Sequence, residues 1–201
     1  MDFNCIEKNL LDKGYLVRTF KTAAEATGYL ASVIKDQIVG FGGSITLEQM
    51  GLYEKLSAHN TVYWHQLADD ANVKQEMITA AATSTIYISS VNGLSTNGEI
   101  VNIDGNCNRI SSIFYGHKKV FLVVGKNKIA NDLEDAIYRA RNIAAPLNAK
   151  RLKKKTPCAL NADKCYNCKS SDRICRGLSV MLYKPSMCDY EIILINEDLG
   201  F

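Results

Sequence analysis

Apolar and polar positions along this chain follow two rhythms, and each marks a different kind of element. Segments 3–13 and 22–35 carry helical spacing, and Thr22 with Glu25 three residues on forms a capping-box pattern. Tyr15–Phe20 reads as a short strand. Gln37–Phe41 reads as a strand entering Gly42-Gly43-Ser44, and residues 45–57 as a helix with Ile45, Leu47, Met50, Leu52 and Leu56 near one face. Thr61–Trp64 is a predicted strand and 69–82 a predicted helix. Thr85–Ser89 and Glu99–Ile103 follow as strands, split by a turn at Thr96-Asn97-Gly98. Lys119–Val124 is an almost unbroken apolar run, as expected of a strand buried on both faces. Residues 131–144 read as a helix that Pro146 ends or kinks, and Glu191–Asn196 as the last strand.

Strands alternating with helices predict an α/β fold, a mainly parallel sheet covered by helices. No helix separates the strands of 85–113, so part of the sheet is expected to be antiparallel. Residues 150–188 break the rhythm. They hold five of the seven cysteines and two of the three prolines, and read as an irregular excursion within one domain spanning 1–201.

Composition narrows the function classes. A hydrophobic fraction of 47% and a charged fraction of 22% suit a soluble globular chain, and a net charge of +3 is too small to point to nucleic acid. The start, Met1-Asp2-Phe3-Asn4-Cys5, shows no basic-then-apolar signal, and no apolar run approaches the ~18 residues of a membrane span. The expectation is a cytoplasmic protein without a membrane partner, whose cysteines are thiols or metal ligands rather than disulfides.

The segment Ile38-Val39-Gly40-Phe41-Gly42-Gly43-Ser44-Ile45-Thr46 is a strand, a glycine-rich turn and a helix start. Glycines permit close backbone approach, and free N–H groups at a helix start face an anion. Gly42, Gly43, Ser44 and Thr46 are therefore candidate ligand contacts. The plainer reading is a tight turn with Ser44 as a helix cap. The pattern is neither GxGxxG nor GxxxxGK[ST], so the nucleotide motifs do not apply.

Between Asn92 and Arg109, Asn, Asp and Gly crowd into eighteen residues. Arg109 is a candidate fork for a carboxylate or phosphate, with Asp104 orienting it or a ligand hydroxyl. These are also the standard turn residues. Lys126 and Lys128 follow a buried strand, where α/β sheets place ligand contacts, and Lys126 joins the candidate set.

Cys158, Cys165, Cys168 and Cys175 read C-x6-C-x2-C-x6-C. Four thiolates suit a metal, tetrahedral zinc or a [4Fe–4S] cluster, and the spacing does not decide between them. Lys164, Lys169, Arg173 and Arg176 would lower thiol pKa values and offset negative charge. The alternative is a set of plain thiols or a redox CxxC pair. Cys188 is a spare ligand candidate. Cys5 and Cys107 read as unligated thiols. His59, His65 and His117 are scattered, and no catalytic arrangement assembles around them. The basic run Lys150–Lys155 reads as a solvated face.

Taken together, GFGGSITLEQMGL (40–52), NGLSTNGEIVNIDGNCNRI (92–110), KKVFLVVGKNKI (118–129), ARNIAAPLNAKRL (140–152), TPCALNADKCYNCKSSDRIC (156–175) and IILINEDLGF (192–201) resemble the LUD-domain family of lactate-utilization proteins, in a short branch with a C-terminal four-cysteine motif. The resemblance implies a three-layer Rossmann-like α/β domain, similar to the NagB/RpiA/CoA transferase-like fold. It implies an accessory or electron-transfer role in oxidation of L-lactate or a similar 2-hydroxy acid, beside iron–sulfur partner subunits, with a small anionic metabolite at the glycine turn. A homo-oligomer is compatible with it. The alternative is a non-catalytic anion-sensing or regulatory module with structural zinc. One departure is Thr96, where many relatives carry glutamate, so no glutamate nucleophile is expected here.

Overall fold

A computed structural model describes residues 1–201. In chain order the elements begin α1 (Asn4–Asp12), β1 (Leu16–Phe20), α2 (Ala23–Val33), β2 (Ile38–Phe41), α3 (Ile45–Gln49), α4 (Leu52–Ser57), β3 (Thr61–Tyr63), α5 (Ala71–Ala82) and β4 (Ile86–Ser90). They continue with β5 (Gly93–Ser95), β6 (Ile100–Asp104), α6 (Asn108–Phe114), β7 (Lys119–Gly125), β8 (Ile129–Ala130), α7 (Leu133–Arg139), α8 (Ala145–Arg151), α9 (Pro157–Asn161), β9 (Gly177–Met181) and β10 (Asp189–Ile195).

Six strands form a parallel sheet in the order β1-β10-β7-β4-β2-β3. The unbroken apolar run of β7 is explained by its place between β10 and β4. Val120, Leu122 and Val124 pack on one face with Ile6, Leu10 and Tyr15. Phe121 and Val123 pack on the other with Leu30, Leu47 and Leu52. Helices α2, α3 and α4 thus cover one face. Helices α1 and α6 cover the other, together with a second sheet whose Leu94, Ile100 and Met181 reach the same core. That second sheet runs β8-β5-β6-β9, with β5–β6 and β6–β9 antiparallel. Helix α7 lies over its outer side, where Val101, Ala136 and Ala140 bury one another. The result is a three-layer, Rossmann-like α/β architecture.

Four local expectations are corrected. Helix 45–57 divides at Gly51, whose φ of 58° takes the left-handed form that glycine adopts without steric cost. Helix α6 follows β6 directly and was hidden by its turn-type residues. The helix from Leu133 does not stop before Pro146 but runs on to Arg151, through a π-type segment at Ala140–Ala144. The ring of a mid-helix proline crowds the carbonyl four residues back, here that of Asn142, and the widened turn accommodates it. The 150–188 excursion is not irregular throughout. It contains α9 and the strand β9, which pairs with β6 from Ile100↔Met181 to Asp104↔Gly177.

Candidate functional site

Loops leaving the carboxyl ends of the main-sheet strands enclose a cleft of about 620 Å³, the usual ligand position in an open α/β sheet. Gly43–Ile45 after β2, Ser90–Asn92 after β4 and Lys128 after β7 contribute to it. One wall carries His65 and Gln66 with Lys74 of α5, and another Ile103–Asn106 with Asn108 and Arg109. Helix α8 and the cysteine segment, through Ser171–Ile174 and Arg176, supply the rest.

Charge is strongly one-sided here. Arg109 and Lys128 are joined by Lys74, Arg151, Lys154, Arg173 and Arg176, against the two carboxylates of Asp104 and Asp172. Neither carboxylate is free. Asp104 accepts the N–H groups of Asn106 and Cys107 on one oxygen and those of Arg109 and Ile110 on the other, at 3.0–3.2 Å. Asp172 accepts Lys155 N at 2.6 Å and Lys154 Nζ at 3.2 Å.

Arg109 stands where the sequence suggested, but its fork is already occupied. One terminal nitrogen donates to Ser90 O (3.0 Å) and Asn102 Oδ1 (2.6 Å), the other to Asn92 Oδ1 (2.9 Å) and Ile103 O (2.8 Å). The expected ligand clamp is thus a staple joining β4, β6 and the strand-to-strand turn. Asp104, expected to orient Arg109 or a ligand hydroxyl, has both oxygens engaged in capping the start of α6. Both still line the cleft.

The glycine turn divides its labour. Gly42 does not line the cleft. Its N–H donates to Ile88 O (2.9 Å), and a Cβ there would lie 2.6 Å from Ser89 Oγ and 3.0 Å from Arg109 Cγ. Its bareness leaves room for the Arg109 side chain. Gly43 and Ser44 do line the cleft. Ser44 N donates to Gln66 Oε1, and Ser44 Oγ caps α3 by accepting Leu47 N at 3.3 Å. Thr46 is buried beneath the turn, where its hydroxyl donates to Leu199 O at 3.2 Å and accepts from Lys128.

Lys126 lies outside the cleft, and Lys128, two residues on, takes the position expected of it. Lys128 is 3% exposed and donates to Thr46 Oγ1 and Ser90 Oγ, each at 2.8 Å, with no carboxylate in contact. Burial, reinforced by the nearby Arg139 and Arg109 cations, pushes its amine well below the usual lysine range. His65 was not singled out by sequence, yet it faces the cleft beside Gly43. Burial first, then the Lys74 cation, lower its pKa, with Asp104 opposing. The available signal was its place just beyond the carboxyl end of β3.

None of the four cysteines lines the cleft, but Cys168 and Cys175 touch its wall through Arg173. Asn167, at φ 46°, bends the Cys165–Cys168 knuckle so that its N–H donates to Cys165 Sγ at 3.4 Å. The π-type segment supports the knuckle, since Asn142 Oδ1 accepts Cys165 N at 3.1 Å. Arg173 donates to Cys175 Sγ (3.2 Å) and Cys168 O (2.9 Å), and these sulfurs raise its pKa. As placed, no three His, Cys, Asp or Glu side chains converge into a metal-holding group. Four thiols on one short segment remain a chemically apt donor set for zinc or an iron–sulfur cluster. Cys188 does not join them, and its thiol contacts Lys118 O and Asp189 O.

The sequence model of the LUD domain matches residues 4–195. The chain belongs to the LUD domain family. That family is associated with lactate utilization. Among solved structures, this LUD domain is similar to a DUF162 family protein from Deinococcus radiodurans, with a TM-score of 0.54 at 11% identity over 96% of this chain and 94% of that one. This likeness shows the fold. It is also similar, over 54% of this chain and 52% of that one, to ribose 5-phosphate isomerase from Plasmodium falciparum, at 12% identity and a TM-score of 0.34. That partial likeness is too low to bear on fold or ligand. No curated protein matches the chain. Thr96 of this LUD domain does not line the cleft and is bonded to Asn131 O and Ala130 O, while Glu99 pairs with Lys13, just past α1, at 3.3 Å. No helix is long and apolar enough to cross a membrane.

Proposed function

We propose that this LUD domain binds a small anionic metabolite, a 2-hydroxy acid or its oxidised counterpart, in the basic cleft. It would serve as an accessory or electron-transfer component of L-lactate oxidation in the cytoplasm, beside iron–sulfur partner subunits. One observation carries the reading: seven cationic side chains surround the cleft, and its two carboxylates are committed to backbone amides or a lysine. Anions enter such a field readily.

Lys74 and Arg151 are the cations best placed to hold the ligand's carboxylate, with Lys128 beside them and Gly43 and Ser44 also lining the cleft. His65, kept neutral by its surroundings, can accept the proton of a ligand hydroxyl. Cys158, Cys165, Cys168 and Cys175 would hold the metal. An iron–sulfur cluster there would supply one-electron transfer, and zinc would only brace the wall formed by Ser171–Arg176. The sensing alternative draws on that same contact, because metal and cleft share a wall and occupancy of one can be read at the other without chemistry.

Calorimetric titration with L-lactate, oxalate and phosphate tests the reading. Lys74→Met and Arg151→Ala should each weaken binding by about 10-fold or more, the loss of one charge-assisted hydrogen bond. Equal affinity in both variants, or no binding to any of the three anions, would reject it. Metal analysis of anaerobically purified protein, with lactate-dependent reduction in a reconstituted extract, separates the electron-transfer role from the zinc-braced sensor.

A further inference from the structure

We infer that Lys128 is a nucleophile that captures a 2-oxo acid as an imine at the cleft. The inference rests on the anion reading above, because the substrate's carboxylate must be held while its carbonyl reaches the amine.

Two geometric facts and one of charge set Lys128 apart from every other lysine of the chain. It is almost wholly buried yet borders the cleft, whereas Lys74 and Lys154 are more open. Its side-chain hydrogen bonds go only to hydroxyl oxygens, Thr46 Oγ1 of α3 and Ser90 Oγ of β4. A neutral amine has two N–H bonds and one lone pair. Two acceptors at 2.8 Å satisfy both N–H bonds and leave the lone pair unassigned. The third fact concerns charge. The groups acting on Lys128 are the cations Arg139 of α7 and Arg109 of α6. Asp104, the acid of the facing wall, gives both oxygens to backbone amides. No counter-ion therefore holds the ammonium form, and burial, reinforced by two neighbouring cations, shifts the balance toward the free amine. Desolvation and a neighbouring cation are the standard means of activating a lysine for attack on a carbonyl.

The step balances without a further reactant. The lone pair of Nζ attacks the carbonyl carbon, forming C–N, and the carbonyl π pair moves to oxygen, which takes a proton. The carbinolamine then loses water as C–O breaks and the second N–H proton departs, leaving C=N. Nothing is oxidised or reduced. The Ser90 and Thr46 hydroxyls, already in hydrogen-bond contact with the nitrogen, can pass these protons. The substrate class follows from the cleft: a carbonyl for Lys128, with an adjacent carboxylate for Lys74 or Arg151. A 2-oxo acid is also what oxidation of a 2-hydroxy acid yields.

Reductive trapping tests this directly. The full-length protein is incubated with pyruvate and cyanoborohydride at neutral pH, and the adduct is located by peptide mass mapping. One adduct per chain on Lys128 is expected, absent from folded Lys128→Arg and Lys128→Met and suppressed by excess oxalate. Circular dichroism of each variant establishes its folding. Should both fail to fold, a rate of wild-type trapping at Lys128 well above that of the exposed lysines, and lost with oxalate, still supports the proposal. Labelling spread evenly over surface lysines, or unchanged in Lys128→Met, overturns it. Oxalate titration of the same samples separates the two readings: binding without an adduct removes the nucleophile and leaves the anion cleft, and neither signal removes both.

Discussion

Arg109 donates to Asn92 Oδ1 at 2.9 Å, and the same oxygen accepts Ile103 N at 2.8 Å, so one amide ties a half-buried cation to a strand. A second amide, Asn102, accepts the other arm of the guanidinium. Replacing Arg109 takes the guanidinium donor from Asn102 Oδ1 and Ile103 O, while Asn92 Oδ1 keeps Ile103 N and Ser90 O keeps Ser89 Oγ. Arg109→Met should lower stability by about 3 kcal/mol, since orphaned buried acceptors are costly. That corresponds to a fall in melting temperature on the order of 10 °C. Thermal unfolding followed by circular dichroism measures it, and a fall under about 2 °C would show that the staple is dispensable.

Gly42→Ala probes the same staple from the other side. The new Cβ would meet Ser89 Oγ at 2.6 Å and press on Arg109 Cγ. Overpacking of this kind costs about 2 kcal/mol. Denaturant unfolding should show a lower midpoint at unchanged slope. Because Gly42 does not itself line the cleft, any change in anion affinity should track displacement of Arg109 rather than loss of a contact.

Stability should depend on pH through His117. Its ring is buried, stacked on Tyr87 at 4.8 Å, with Nδ1 at 2.7 Å from Ser84 O and Nε2 without a partner. Burial lowers its pKa from the ordinary 6.5, outweighing the Ser84 contact. Below pH 6.5 the unfolded chain therefore takes up a proton that the folded chain refuses, so unfolding free energy falls as pH drops through that range and levels off above it. His117→Gln should flatten the slope by at most about 1.4 kcal/mol per pH unit. An identical slope in wild type and variant would place the titration elsewhere.

The Lys74 cation helps to hold His65 neutral, after burial itself. Lys74→Met should move the His65 titration upward, toward the ordinary imidazole range, as followed by the ring protons in nuclear magnetic resonance. An unmoved or lowered midpoint would show that the two groups do not interact.

Metal and anion should be coupled through the shared wall. The double substitution Cys165→Ser, Cys168→Ser is expected to abolish zinc or iron content and to weaken oxalate binding by several-fold, since Ser171–Arg176 would lose their brace. Elemental analysis and calorimetry check the two halves. Metal content unchanged from wild type would remove the cysteines from the argument.

The helices and strands were largely legible in local pattern. Lys119–Val124 is apolar on both sides because both faces of β7 are covered, and Thr22 with Glu25 closes a complete capping box. What escaped local reading was punctuation whose cost tertiary contacts offset. Pro146 sits inside a helix because a π-type turn makes room for it. Gly177–Met181 becomes a strand because β6 offers it an edge.

By itself the sequence determined the alternation of strand and helix, the place of the glycine turn and the concentration of thiols in one segment, since all three depend on spacing along the chain. Which polar groups remain free for a ligand was decided only by the tertiary structure. Arg109 and Asp104 carried the chemistry a ligand would want, but groups brought from β4, β6 and α6 had already satisfied it. Lys128 and His65 carried only a positional signal, a place just past the carboxyl end of a strand, and they stand at the cleft with capacity unclaimed. A side chain's hydrogen-bonding capacity is consumed by whatever the fold places beside it, and those neighbours are far away in sequence.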